Sequence, residues 1–136
     1  MAATAQGQGV IISAIGPGNG DGSLLVKATD SLLSGLAGSK TRLIVVGGAG
    51  GLEVAPDKRL VDTPNFPQAW KSLALAHIEA YQHYPVNAAV DWAYAAPAAL
   101  IESGERTAKF RTGEDQLIVD EKSQSRISAE DFAVGY

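Results

Sequence analysis

The stretch Thr41 to Leu52, T-R-L-I-V-V-G-G-A-G-G-L, decides how this chain folds. Leu43, Ile44, Val45 and Val46 form an unbroken, largely β-branched apolar run without polar alternation, the pattern of a strand buried on both faces of a parallel sheet. Helices are therefore expected on both sides of it. Gly47, Gly48, Gly50 and Gly51 follow at once, so at the carboxyl end of this strand the backbone is free to take positive φ or to lie directly against a ligand. Open α/β sheets place their ligands at that end. A tight strand-to-loop turn without a ligand fits the glycines as well.

Upstream, Val10 to Ile15 (V-I-I-S-A-I) has the composition of a first strand, and Gly16 to Gly22 (G-P-G-N-G-D-G) is a turn with no apolar residue. Asp21 or Ser23 can cap the helix that follows, Ser23 to Leu36. Leu24, Ala28, Leu32 and Leu36, with Leu25 beside them, give it one apolar face. Strand, helix and strand at this spacing predict a right-handed βαβ unit. Downstream, Gly50 to Gln68 is a proline-marked loop with Leu60 and Val61 as a short extended piece, and a helix runs from Pro67 to His83 until Pro85 stops it. Val90 to Ala95 (V-D-W-A-Y-A) is the third strand, less apolar and so nearer an edge. Thr107 to Arg111 and Gln116 to Val119, separated by T-G-E-D with Gly113 in the turn, carry a hairpin signal. Ser128 to Asp131 (S-A-E-D) matches a capping signature, and the helix it opens meets Tyr136 so soon that the chain looks short at this end.

The 136 residues suffice for one domain with a sizeable core. A net charge of -4 offers no electrostatic footprint for nucleic acid. With no cysteine the chain has no disulfide, thiolate nucleophile or cysteine metal site, and this suits a reducing compartment. The amino end has no basic residue followed by an apolar segment, and the apolar runs fall far short of the about 18 residues of a membrane span. A cytoplasmic protein that does not bind membranes is expected.

The motifs narrow the chemistry. The glycine turn after Val10 to Ile15 fails the dinucleotide fingerprint: counting from Gly16 the sixth position is Asp21, which would set a negative charge where phosphates sit, and counting from Gly18 it is Ser23. Gly38-Ser39-Lys40-Thr41 resembles the end of a phosphate loop but precedes a strand instead of a helix. No G-x-S-x-G is present, and no tyrosine has a lysine four residues on, so the nucleophile elbow and the usual Tyr/Lys proton relay are both missing. His77 and His83 are six apart on one helix, the wrong spacing for a shared metal, so no metal is expected. His77 sits in the apolar stripe, where a hydrogen-bonded core or rim histidine and a catalytic base are both conceivable, the former more commonly. Glu53, Asp57 and Asp62 in the long loop are candidate acids or bases, or solvated carboxylates. Lys71 stands in the first turn of its helix against the helix dipole, as a ligand-facing group or as a solvated surface lysine.

Several separated blocks then resemble one group. V-I-I-S-A-I-G-P-G (Val10 to Gly18), R-L-I-V-V-G-G-A-G-G-L-E-V-A-P (Arg42 to Pro56), L-V-D-T-P-N-F-P (Leu60 to Pro67), A-P-A-A-L-I-E-S-G-E-R-T (Ala96 to Thr107) and S-A-E-D-F-A (Ser128 to Ala133) together resemble the NmrA-like, biliverdin-reductase-B-like atypical short-chain dehydrogenases, which are NAD(P)-binding oxidoreductases. The resemblance covers nearly the whole chain. It implies a single incomplete NAD(P)-binding domain: α/β, the second half of a Rossmann-like doubly wound parallel sheet with a small C-terminal hairpin, without the group's first three strands and its G-x-x-G-x-x-G turn.

The same resemblance implies NAD(P) as cofactor, NADP(H) by preference, bound by Ala14, Ile15 and Gly16 after one strand, by Gly47, Gly48 and Ala49 after the next, and by Pro97 and Ala98 after the third. It makes Lys71 the catalytic or anchoring residue near the nicotinamide ribose or substrate. Gly51, Trp70 and Ala96 stand where such proteins commonly carry Ser, an aromatic hydroxyl and Ser, so three hydroxyls are absent. The function implied is hydride transfer to an unknown small electrophile or flavin-like acceptor; a non-enzymatic, NmrA-like dinucleotide-sensing or protein-binding module is the alternative. Taken alone, the chain is expected to bind a dinucleotide weakly, to be inactive, and to self-associate through the uncharged strand Val10 to Ile15.

Overall fold

The computed structural model describes residues 2–18, 22–84 and 89–135. A short helix α1 (Ala2–Ala5) leads into β1 (Val10–Ser13), α2 (Ser23–Leu36) and β2 (Arg42–Val46). The loop after β2 folds a miniature antiparallel pair, β3 (Glu53–Ala55) and β4 (Lys58–Arg59), and then come α3 (Gln68–Gln82) and β5 (Trp92–Ala95). The chain closes with β6 (Leu100–Glu102), β7 (Arg126–Ser128) and α4 (Ala129–Val134). Asp21, offered as a cap for α2, and Pro85, offered as the stop of α3, lie outside the described residues. The residue at the cap position of α2 is Gly22, without a side-chain hydrogen bond, and Ser23 is the first helical residue.

The strands pair in the order β1-β2-β5, all parallel, with Ile12 opposite Ile44 and Ile44 opposite Ala93. The βαβ reading therefore holds, twice over. β1 stops at Ser13 and β5 begins at Trp92, so both are shorter than Val10 to Ile15 and Val90 to Ala95. One expectation fails. Two right-handed crossovers that step the same way along a sheet deliver both helices to the same face, and here α2 and α3 share one. Leu32 and Leu36 of α2 join Leu43 and Val45 of β2 and Tyr84 beyond α3 in one core cluster, against which Ile11, Trp92 and Tyr94 pack. On the opposite face no helix covers the sheet among the described residues: Val10 and Ile12 are 50% and 57% exposed, and Ile44 and Val46 are only half-buried.

Close approach of α3 explains its alanines. Ala74, Ala76 and Ala80 are its buried positions, and glycine backbone lies against the first two. A Cβ built on Gly22 would lie 2.4 Å from Ala76 Cβ, and one on Gly50 would lie 2.7 Å from Ala74 Cβ. Gly22 also sits at φ +83, the left-handed region where only glycine is free of strain. Leu60 and Val61, expected to be extended, belong instead to a short 3-10 turn, Leu60–Asp62, that packs against the turn Ala49–Gly51 and α3 and leaves Val61 1% exposed. Nor does the expected hairpin form. β6 pairs with β7 in parallel, and Gln116 makes a lone bridge to Glu53. Glu53 N–H donates to Asp115 O at 2.8 Å and Leu117 N–H to Glu53 O at 2.9 Å, so this segment's backbone is spent on the β3 loop rather than on Thr107 to Arg111.

A paired substitution checks the packing. Gly38 has φ +74 with open space around it, whereas Gly22 has the same backbone handicap plus the Ala76 clash. Gly38→Ala should cost about 1 kcal/mol of unfolding free energy from strain alone, and Gly22→Ala distinctly more. Ala76→Gly in the Gly22→Ala background should recover part of the excess, as read by urea denaturation.

Candidate functional site

The carboxyl end of β2 is the point where the functional features meet. Gly47 and Gly48 leave the strand there, and the Tyr94 ring of the neighbouring β5 lies directly on them. A Cβ at Gly47 would fall 2.0 Å from two carbons of that ring. The Gly48 N–H donates to the Tyr94 hydroxyl at 3.2 Å. Tyr94 and Trp92, two apart on a strand and so on the same face, carry a cluster with α3. Tyr81 meets Tyr94 edge-on with centroids 4.7 Å apart and Trp92 at 6.3 Å, while Tyr84 lies 5.1 Å from Trp92. Burial pushes the Tyr94 phenol above the usual tyrosine pKa, against a smaller opposing effect of the Gly48 N–H.

Beside this cluster opens a cleft of about 1390 Å³ between the β5 edge and the β6–β7–α4 unit. Gly48 and Gly51 border it on one side, Ala95 to Ala98 on another, and Ile78, Tyr81, Trp92 and Tyr94 supply an apolar wall. Two ion pairs stand at its rim: Arg126 with Glu102, and Arg59 with Asp62 at 2.7 Å. The Arg59 guanidinium holds the Asp62 carboxyl below the usual range, by its hydrogen bond first, with the charge of Lys71 adding to the effect.

Among the residues expected to bind cofactor, Gly48, Pro97 and Ala98 line this cleft together. Ile15 lines a separate, water-sized crevice between sheet and helices with Ser13, His77 and Tyr94, while Ala14 and Gly16 are exposed beyond β1. Gly47 is buried under Tyr94, and Ala49 opens the short 3-10 turn Ala49–Gly51. Lys71 is exposed on α3 and borders neither space. His77 is half-buried at the rim: its ring rests on Gly48, 3.2 Å from where a Cβ would be, with no hydrogen bond to another described residue. Burial lowers its pKa, favouring the neutral imidazole. His83 instead pairs with Asp30 at 2.8 Å. The hydroxyl of Tyr94 was not among the candidates. The register that sets Tyr94 opposite Val45, two residues before Gly47, is the signal that finds it.

Asp131 holds the far wall. Ser128 caps α4 by accepting the Asp131 N–H at 3.0 Å, as the S-A-E-D signature anticipates. The Asp131 carboxylate then accepts from Thr107 Oγ1 at 2.6 Å, from the Thr107 N–H at 2.7 Å and from the Ala108 N–H at 2.8 Å. Ala108 is thereby kept at φ 58, a strained value for a residue with a side chain.

No family model matches the chain. It is 38% identical over 128 residues to the uncharacterized protein YwnB of Bacillus subtilis (strain 168), which covers 91% of this chain and 60% of that protein. Two solved structures superpose closely. A protein of Burkholderia pseudomallei, provisionally described as exported, shares 48% identity with a TM-score of 0.90. One from Streptococcus pneumoniae TIGR4, provisionally named an NADH-flavin reductase, shares 33% with a TM-score of 0.91. Each is matched over 99% of this chain and 66% of its own. The fold is thus Rossmann-like α/β, and the chain spans about two thirds or less of the length of these relatives. No helix among the described residues is long and apolar enough to cross a membrane.

The Asp131 cluster gives a pH test. Hydrogen bonds from Thr107, first its hydroxyl, and from the Ala108 N–H depress the Asp131 pKa. A carboxyl depressed on folding stabilises the fold above its unfolded value of about 4 and loses that contribution as pH falls through the folded one. The melting temperature of Asp131→Asn should therefore lie below wild type at pH 7, and the gap should narrow below about pH 4.

Proposed function

We propose that this chain forms the nicotinamide-facing part of an NAD(P)-binding oxidoreductase of the atypical short-chain dehydrogenase class, with NADP(H) the preferred form. Hydride would pass to a small electrophile or a flavin-like acceptor. The observation that carries the reading is the carboxyl end of β2, where a glycine backbone without side chains opens into a cleft walled by flat aromatic rings. That is the end of a parallel sheet at which dinucleotides bind, and the likeness to the pneumococcal protein named an NADH-flavin reductase supports the same chemistry. A cofactor would supply the hydride. The chain's own residues would contribute close backbone approach at Gly48, a dry wall from Ile78, Tyr81 and Trp92, and the strand-end surface of Pro97 and Ala98.

Pyrophosphate binding asks for glycine amides at a helix start, and the glycine turn before α2 lacks the fingerprint spacing and carries Asp21 where phosphates would sit. The 136-residue span by itself is therefore proposed to hold a dinucleotide weakly and to turn over poorly. A non-enzymatic, NmrA-like dinucleotide-sensing module is the second reading. It is favoured by Gly51 and Ala96, which border the cleft and bring no hydroxyl to it.

NADPH oxidation against a panel of quinones, flavins and aldehydes, using a protein of the relatives' full length, separates the two. Turnover supports the oxidoreductase; micromolar NADPH binding without turnover supports the sensor. Lys71 lies outside the cleft of this span and is proposed as an anchor for cofactor or acceptor in a protein of the relatives' full length, where its variant is to be assayed. Lys71→Ala should raise the KM for NADPH or acceptor about tenfold, the worth of one charged hydrogen bond, and an unchanged KM removes Lys71 from the site.

A further inference from the structure

The Tyr94 hydroxyl is half-employed. It accepts the Gly48 N–H at 3.2 Å, and no acceptor for its own proton stands among the described residues. Its ring has little freedom to turn elsewhere, with the Gly47 backbone against one part and the edge contacts of Tyr81 at 4.7 Å and Tyr84 at 6.2 Å against others. Because the Gly48 N–H occupies one side of the oxygen, the O–H is left to point away from the β2 backbone. Tyr94 borders the cleft together with Gly48 and Tyr81. Tyr94 is part-buried, and it lines both this cleft and the narrow crevice between sheet and helices. With its pKa pushed up by burial it stays a donor at neutral pH.

We infer that Tyr94 is the specificity-determining hydroxyl of this cleft, donating its O–H to a carbonyl oxygen of a flat conjugated ligand seated beside Gly48. The inference deepens the acceptor reading above and rests on it for the class of ligand. A site built around a fixed donor rejects a ligand of equal shape that lacks the acceptor, since the donor then loses its water without gaining a partner. Preference for a ring carbonyl over the matching hydrocarbon follows.

The test is calorimetric titration of the 136-residue chain, without NADPH, with anthraquinone-2-sulfonate and with anthracene-2-sulfonate. Wild type should bind the quinone more tightly, and Tyr94→Phe should weaken quinone binding about 3–10-fold, the worth of one neutral hydrogen bond, with the hydrocarbon unchanged. Equal weakening of both ligands, no weakening of the quinone, or no quinone binding by wild type overturns the inference. A second measurement needs no variant: the carbonyl stretch of the bound quinone should shift to lower frequency in the infrared, and an unshifted band overturns it. Because no cofactor is present, failure of hydride transfer in the full-length assay leaves both results readable.

Discussion

The structure depends on how closely other groups approach the backbone that leaves β2. Gly47 admits the Tyr94 ring, Gly48 admits His77 and donates to the Tyr94 hydroxyl, and Gly50 admits Ala74 of α3. A side chain at Gly47 or Gly50 would meet an atom at 2.7 Å or less, a distance that real Cβ atoms do not adopt. These contacts fix the height of α3 over the sheet, and with it the aromatic cluster and the near wall of the cleft. The glycine run is thus first a packing device. Its openness toward a ligand is confined to what packing leaves uncovered, chiefly Gly48 and Gly51.

Much of this fold was legible because its signals are local. The unbroken run Leu43 to Val46 marked the central strand, and α2 matched its expected span residue for residue. What was not legible is set by distant partners. The apolar run said that β2 needs cover, but only the strand order and the handedness of the crossovers determine that both helices come to one face. The T-G-E-D turn signal was real as local chemistry. It lost because Asp131 claims the amides of Thr107 and Ala108 while Glu53 claims both sides of Gln116. Tertiary partners outbid a local hairpin preference.

The site divides the same way. Gly48, Pro97 and Ala98 come together because all three follow strands of one parallel sheet, which a sequence reading can foresee. Ile15 and Lys71 fall elsewhere: β1 is an outer strand whose end turns toward the helix-covered side, and the Lys71 side chain lies where the Asp62 loop feels its charge. Tyr94 is ordinary in sequence. It becomes notable only through its register beside β2, which sets a phenol against a glycine backbone.

The parallel register also governs the order in which the chain can assemble. Partners in β1 and β2 lie roughly 30 residues apart, and those in β2 and β5 roughly 50, so little of the sheet is local in the sense that speeds folding. During synthesis at about 5–20 residues per second, the second ladder of β2 waits about 3–10 s for its other half. Throughout that interval Leu43, fully enclosed in the finished protein, belongs to a strand with one neighbour. The nascent chain is therefore most exposed to chaperones and to mispairing after its central strand has emerged and before Trp92 to Ala95 has followed.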